Sequence, residues 1–162
     1  MPSVVLQYCK DNGRYIKQNA GNGNCGPLAL ADCLRETVGE GLKEDMLDMH
    51  NIRQTVWSKA MEEIKFGNSI FGTLEIIHSL REDKTFWTEG MLAAAAIVYK
   101  VNIILVSDSP SLDRQNGVHE YNSGDEESPT IHIGHIHAGQ GPDTTGHFVA
   151  LLHDSNRKCS HA

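Results

Sequence analysis

Apolar residues recur at helical spacing as far as Lys100 and at strand spacing beyond it, and this change of period constrains the fold more than any other feature. From Cys25, Leu30, Leu34 and Val38 repeat at four-residue steps with Ala31 beside them, Pro27 is tolerated in a first turn, and Gly39 and Gly41 stop the run. A helix opening at Cys25 is predicted, with Asn24 as its N-cap. Residues 44–66 carry Met49, Ile52, Val56 and Ala60 on one stripe, widened by Trp57, Met61 and Ile64, which predicts a long amphipathic helix broken by Gly67 and Asn68. Ser69 is predicted to cap a shorter helix through Ile70, Leu74 and Ile77. Thr88 is predicted to cap another in which Met91, Leu92, Ala95, Val98 and Tyr99 share a side.

After Lys100 the residues favour strands. Residues 101–106 form a nearly continuous β-branched and leucine run, which suits a central strand covered on both faces. Residues 110–128 are polar and rich in breakers, and read as an exposed loop or loose hairpin. Residues 130–137 alternate, but Gly134 sits where the face of Ile131 and Ile133 would pass to His135 instead of Ile136, so a bulge is predicted. The last strand is predicted over residues 147–153, with Phe148, Ala150 and Leu152 facing one way, Val149 and Leu151 the other, and His147 at its entrance. Residues 10–24, rich in Gly, Asn and Asp, read as a loop of unusual backbone freedom.

A chain of 162 residues buries roughly 70% of its unfolded surface in one core, so residues 1–162 are expected to form a single domain. No stretch approaches the roughly 20 apolar residues that cross a bilayer, and the first ten residues lack the apolar segment of a secretory signal. No membrane association is expected. Cys9, Cys25, Cys33 and Cys159 are widely spaced with no CxxC pair, which fits reduced thiols in a cytosol better than a zinc ribbon or disulfide framework. The net charge of −7 argues against a nucleic-acid partner. A basic protein partner fits that charge, and so does simple solvation of the surface.

The chemistry concentrates at Cys25. A helix N-terminus offers partial positive charge and unpaired N–H donors, both of which favour a thiolate. The amides of Asn22, Gly23 and Asn24 are placed to converge on the oxygen of a tetrahedral intermediate. A nucleophilic thiol needs a group that takes its proton and later protonates the leaving amine, and imidazole does this near neutral pH. His147 is the candidate: it follows the Gly-rich stretch 139–146 and opens a core strand that holds the ring. A cysteine at a helix start is usually an inert packed thiol and a histidine at a strand end is usually a surface residue. Gly-Asn-Cys at a helix start followed by Gly-His-Phe at a buried strand more than a hundred residues later is a rarer conjunction.

Three stretches together resemble the OTU (ovarian tumour) family of papain-like cysteine proteases, which remove ubiquitin or ubiquitin-like proteins from conjugates. Residues 21–30, Gly-Asn-Gly-Asn-Cys-Gly-Pro-Leu-Ala-Leu, look like the family's Asp-Gly-Asn-Cys motif leading a helix. Trp87, the Ala-rich helix and residues 101–106 look like its Trp-helix-strand unit, and residues 131–152 like its His-containing strand pair. The resemblance implies an α+β papain-like OTU fold, helices packed around a small mixed sheet, with Cys25 as nucleophile and His147 as general base. It also implies a monomeric deubiquitinase without a cofactor, acting in the cytosol of its own or a host cell. Asn22 stands where the family usually has Asp, and Val149 where it often has Asp or Asn. A Cys25–His147 dyad assisted by Asn22 follows, and Gly26-Pro27 marks the chain as divergent.

Other readings use the same residues. His132, His135 and His137 suggest a metal site, with His135 and His137 on one strand face. Trp57, Trp87, Met46, Met49 and Met61 read as core at helical spacing, against a partner groove. The fold without the reaction would make an inactive ubiquitin-binding module. The same nucleophile would also serve polyprotein processing or acyl transfer.

Overall fold

Five strands form one mixed sheet in the order β1-β5-β4-β2-β3, and the neighbours of the last strand in the chain decide where the site forms. A computed structural model describes residues 3–20, 23–37, 44–68, 71–85, 87–108, 117–137 and 146–155. Gly21, Asn22, Val38, Gly39, Gly41, Ser69, Ile70, Cys159, residues 110–116 and most of the Gly-rich stretch 139–146 lie outside them. The strands are β1 (Arg14–Lys17), β2 (Asn102–Ser107), β3 (Val118–Tyr121), β4 (Thr130–His137) and β5 (Gly146–His153). Only β2 and β4 run parallel, so the sheet is mixed.

The helices α2 (Cys25–Thr37), α3 (Met49–Lys65), α4 (Leu74–Ser79) and α5 (Glu89–Tyr99) cover one face. Their apolar stripes meet Ile103, Leu105, Ile131, Ile133, Phe148, Ala150 and Leu152 in one core. α1 (Val4–Asn12) covers the other face, packing Val5 and Cys9 against Val106, Val149 and Leu151. Alternation along β5 therefore serves both layers, as its sequence requires. This is an α+β arrangement, with the helical layer next to the strands in the way the change of period at Lys100 implies.

Several local expectations are corrected. The loop read over residues 10–24 contains the end of α1 and all of β1. Ser3 caps α1 by accepting from the Leu6 N–H, and Gly13 ends it in the left-handed region at φ 62°. The long helix starts at Met49 under an Asp48 cap, after a short 3-10 turn at Glu44–Leu47. The next helix is capped by Thr73, and starts at Leu74. Within the polar stretch 110–128, β3 forms a true antiparallel pair with β2.

No bulge occurs at Gly134, which pairs in unbroken register with Val106 and Val149. An added Cβ there would lie 3.0 Å from Val5 of α1 and 3.1 Å from Leu151 of β5, so a side chain would have to push these neighbours aside by a few tenths of an ångström. Met46 is exposed and not core, whereas Trp57 and Met61 pack against the helical core as expected.

Candidate active site

β1 stops at Lys17, paired with Ala150, so β5 runs on beyond its neighbour for its first residues. Continuing the register would set Asn19 opposite Phe148. In an antiparallel ladder the N–H and C=O of one residue serve the same neighbouring strand. Here the Asn19 side-chain amide donates to the Phe148 carbonyl at 2.9 Å, and the Phe148 N–H donates to Cys25 Sγ at 3.3 Å. A side chain and a sulfur thus fill the places of an absent strand residue.

This bond also locates His147. Two backbone bonds separate the His147 Cα from the Phe148 nitrogen, so that Cα lies no more than about 6 Å from the sulfur. Cys25 opens α2 and His147 stands in the first turn of the β5 ladder. The structure therefore brings together the helix start and the strand start that the sequence singled out. Cys25 is fully covered, and His147 is partly buried.

Burial governs the electrostatics. It pushes the Cys25 thiol up from its ordinary value, against opposing help from the Phe148, Gly26 and Cys25 amides and the positive charge of Arg53. Burial also pushes His147 down. Both shifts favour the uncharged forms, against the thiolate that a helix N-terminus favours.

The loop before Cys25 is held by an unanticipated network. The Asn24 backbone starts α2, its C=O accepting from Leu28 N–H at 3.1 Å, but its side chain does not cap the helix as predicted. Instead Asn24 Oδ1 accepts from Arg53 Nη2 at 2.8 Å and Lys84 N–H at 3.0 Å, and its Nδ2 donates to Asp83 at 3.0 Å. Gly23 adopts φ +80°, and a Cβ there would lie 1.7 Å from the Lys84 carbonyl oxygen. Asn22, assigned to assist the dyad, lies outside the described residues.

Sequence analysis missed Arg53, Asn19 and the Phe148 N–H. Arg53 carried a signal, since it stands four after Met49 and three before Val56, inside the apolar stripe of α3. Asn19 carried none, because its role follows from the place where β1 ends. Trp87 is buried against Gly26, where a Cβ would lie 2.8 Å from its ring, so it packs the start of α2.

Among the described residues no group of three or more His, Cys, Asp or Glu side chains is arranged to hold a metal ion. Alternation puts His132 and His135 on opposite faces of β4. His135 lies beside Phe148, ring centroids 4.7 Å apart, with Ser107 Oγ 3.3 Å from its Nδ1. No described helix is long and apolar enough to cross a membrane.

No protein-family profile and no curated protein matches the sequence. Solved structures do match. The OTU domain of OTUD1 superposes with a TM-score of 0.62 at 16% identity, covering 92% of this chain and 92% of that one. An OTU deubiquitinase from Wolbachia pipientis wMel, solved bound to ubiquitin, gives 0.57 at 18% identity over 89% and 98%. The viral OTU domain protease from Taggert virus gives 0.56 at 17% identity over 85% and 78%. The chain has the papain-like fold of OTU domains.

Proposed function

We propose that the chain is a thiol-dependent deubiquitinase that hydrolyses peptide or isopeptide bonds after the C-terminal glycine of ubiquitin or a ubiquitin-like modifier. The observation that carries this reading is the Phe148 N–H bond to Cys25 Sγ, 3.3 Å, which ties a helix-start cysteine to the residue after His147. The OTU fold and the ubiquitin bound to the Wolbachia pipientis enzyme support the choice of substrate.

In this mechanism His147 is the general base and Cys25 the nucleophile. Because both groups rest uncharged, proton transfer accompanies attack: His147 takes the thiol proton as the sulfur bonds to the glycine carbonyl carbon. The C=O π electrons move to oxygen, where the amides of Gly23 and Asn24, with Asn22, receive the negative charge. Collapse expels the amine, which recovers the proton from the His147 imidazolium. Water, activated by the same imidazole, then hydrolyses the thioester and frees the modifier's carboxylate. Cys25 is wholly covered at rest, so its cover must part before substrate reaches the sulfur.

The chemistry needs no cofactor. The protein is read as a monomer working in the cytosol of its own cell or of a host. A second reading, a ubiquitin-binding module without turnover, draws on the covered sulfur and on Val149 at the position where OTU proteases often have an acid or amide. Hydrolysis of a fluorogenic ubiquitin C-terminal amide by the unaltered protein, abolished in Cys25→Ala, is the expected result. Ubiquitin binding without turnover would replace the enzyme reading with the module.

A further inference from the structure

Arg53 is the one buried cation among the described residues, only 3% exposed, and none of them places a carboxylate within ion-pair distance of it. Its guanidinium goes to neutral acceptors: the Leu80 carbonyl at 2.9 Å, the Gly23 carbonyl at 3.0 Å and Asn24 Oδ1 at 2.8 Å. Its Nε is buried without a partner. The acid that faces it, Asp83, is one residue removed, bound to Asn24 Nδ2. A buried charge paired this way adds little to stability, and an apolar side chain of similar volume usually serves a fold as well or better. Packing alone is a poor reason for a cation on the apolar face of α3.

Its contacts converge on the residues before Cys25. The peptide unit joining Gly23 to Asn24 is planar and trans, so its C=O and N–H point in opposite directions. The guanidinium takes that C=O, which turns the Asn24 N–H away from α3. α2, which starts at Cys25, packs against both α3 and β5. A flip of the unit would break the bond from Arg53 to the Gly23 carbonyl. The positive charge of Arg53 favours the thiolate form of Cys25, and Cys25 in turn favours the charged form of Arg53.

We propose that Arg53 is a positioning residue of the Cys25 site. It holds the Gly23–Asn24 peptide with its N–H toward the side where an attacked carbonyl oxygen would sit, and it sets a fixed positive charge beside the sulfur. The inference rests on the reading of Cys25 as nucleophile and extends the site to a helix that supplies no reacting atom. Of the charged or titratable groups, Arg53 from α3 bears on the sulfur directly; Asp83, which faces His50 at 3.8 Å, bears on it through Asn24, and His147 precedes Phe148 on β5.

Two variants separate orientation from charge. Arg53→Lys keeps the charge but loses the fork that spans several acceptors, and Arg53→Met keeps the bulk and loses both. One readout is the rate of Cys25 alkylation by iodoacetamide against pH, located by peptide mass. The other is kcat and KM on the fluorogenic ubiquitin amide. In Arg53→Met the rising limb of alkylation moves to higher pH, read as about threefold or more slower reaction at pH 8. A site that was only loosened would alkylate faster. In Arg53→Lys the limb stays within about a third of a pH unit, while kcat falls about tenfold or more with KM changed less than about threefold.

An unmoved limb in Arg53→Met, or wild-type kcat in Arg53→Lys, overturns the proposal. Arg53→Gln takes the place of the methionine variant if that variant lacks a cooperative melt. If the unaltered protein turns over no ubiquitin substrate, the deubiquitinase reading fails, and the alkylation limb still decides the role of Arg53.

Discussion

The Phe148 N–H donates to Cys25 Sγ at 3.3 Å across 123 residues of chain. The sulfur sits at a place in the sheet ladder that β1 leaves open by ending at Lys17, and the Asn19 side chain occupies the companion place on the Phe148 carbonyl. Sheet register therefore sets the distance between the helix-start cysteine and the histidine that precedes Phe148. The thiol is buried there, and burial favours its uncharged form.

That neutrality predicts a pH profile. The Cys25 thiol is pushed above its ordinary value of 9.0 and His147 below its ordinary 6.5. Alkylation of Cys25 should keep rising past pH 9, and the acid limb of kcat/KM should have its midpoint below pH 6.5, since His147 stays unprotonated to lower pH than a free imidazole. Alkylation already at its plateau by pH 7 would instead identify a thiolate–imidazolium resting pair.

Asn19→Ala removes the donor to the Phe148 carbonyl and frees the first residues of β5. A loss of about 1 kcal/mol in stability and of roughly tenfold in kcat is expected. Asn19→Asp should be worse than alanine, because it sets a carboxylate against that carbonyl. Thermal melts and steady-state kinetics on the pair check this order, and a more active aspartate variant would exclude the ladder-filling role.

Two glycines with similar backbone angles should respond differently to alanine. Gly13 has φ +62° and open space around it, so Gly13→Ala should cost about 1 kcal/mol. Gly23 has φ +80° and the Lys84 carbonyl in the way, so Gly23→Ala should cost about 3 kcal/mol or more, roughly 6–12 °C in Tm. Equal melting temperatures would mean that the Gly23 approach to Lys84 relaxes easily.

His132 should make the fold acid-sensitive. Burial, with the Arg14 charge nearby, lowers it from 6.5 to about 4, and its Nδ1 is buried without a partner. The unfolded chain therefore takes up a proton there below pH 6.5 while the folded protein does not until about pH 4. The stability this residue supports is complete above pH 6.5 and is lost between 6.5 and 4, to about 3 kcal/mol. Melting between pH 7 and 4.5 should flatten in His132→Gln relative to the unaltered protein; parallel curves would assign the acid sensitivity elsewhere.

Local periodicity made α2 readable from its four-residue repeat and β5 from its two-faced alternation. What stayed hidden depended on contacts distant in sequence. β1 is four residues in a Gly- and Asn-rich stretch, recognisable only from its partner β5, and Asn19 gains meaning only from where β1 ends. Gly134 looked like a bulge because the close approach of α1 cannot be read from β4 alone. Asn24 looked like a cap because Ser, Thr, Asp and Asn favour that place. Its side chain went to Arg53, Asp83 and Lys84 once α3 set a cation beside it.

The central claim is that the sulfur of Cys25 attacks the carbonyl after ubiquitin's last glycine. Treatment of the purified protein with ubiquitin bearing an electrophile at its C-terminus, followed by intact mass and peptide mapping, tests it directly. The account predicts a single covalent adduct at Cys25, absent in Cys25→Ala and greatly slowed in His147→Ala. No adduct from a folded protein, or an adduct on Cys9 or Cys33, would contradict it.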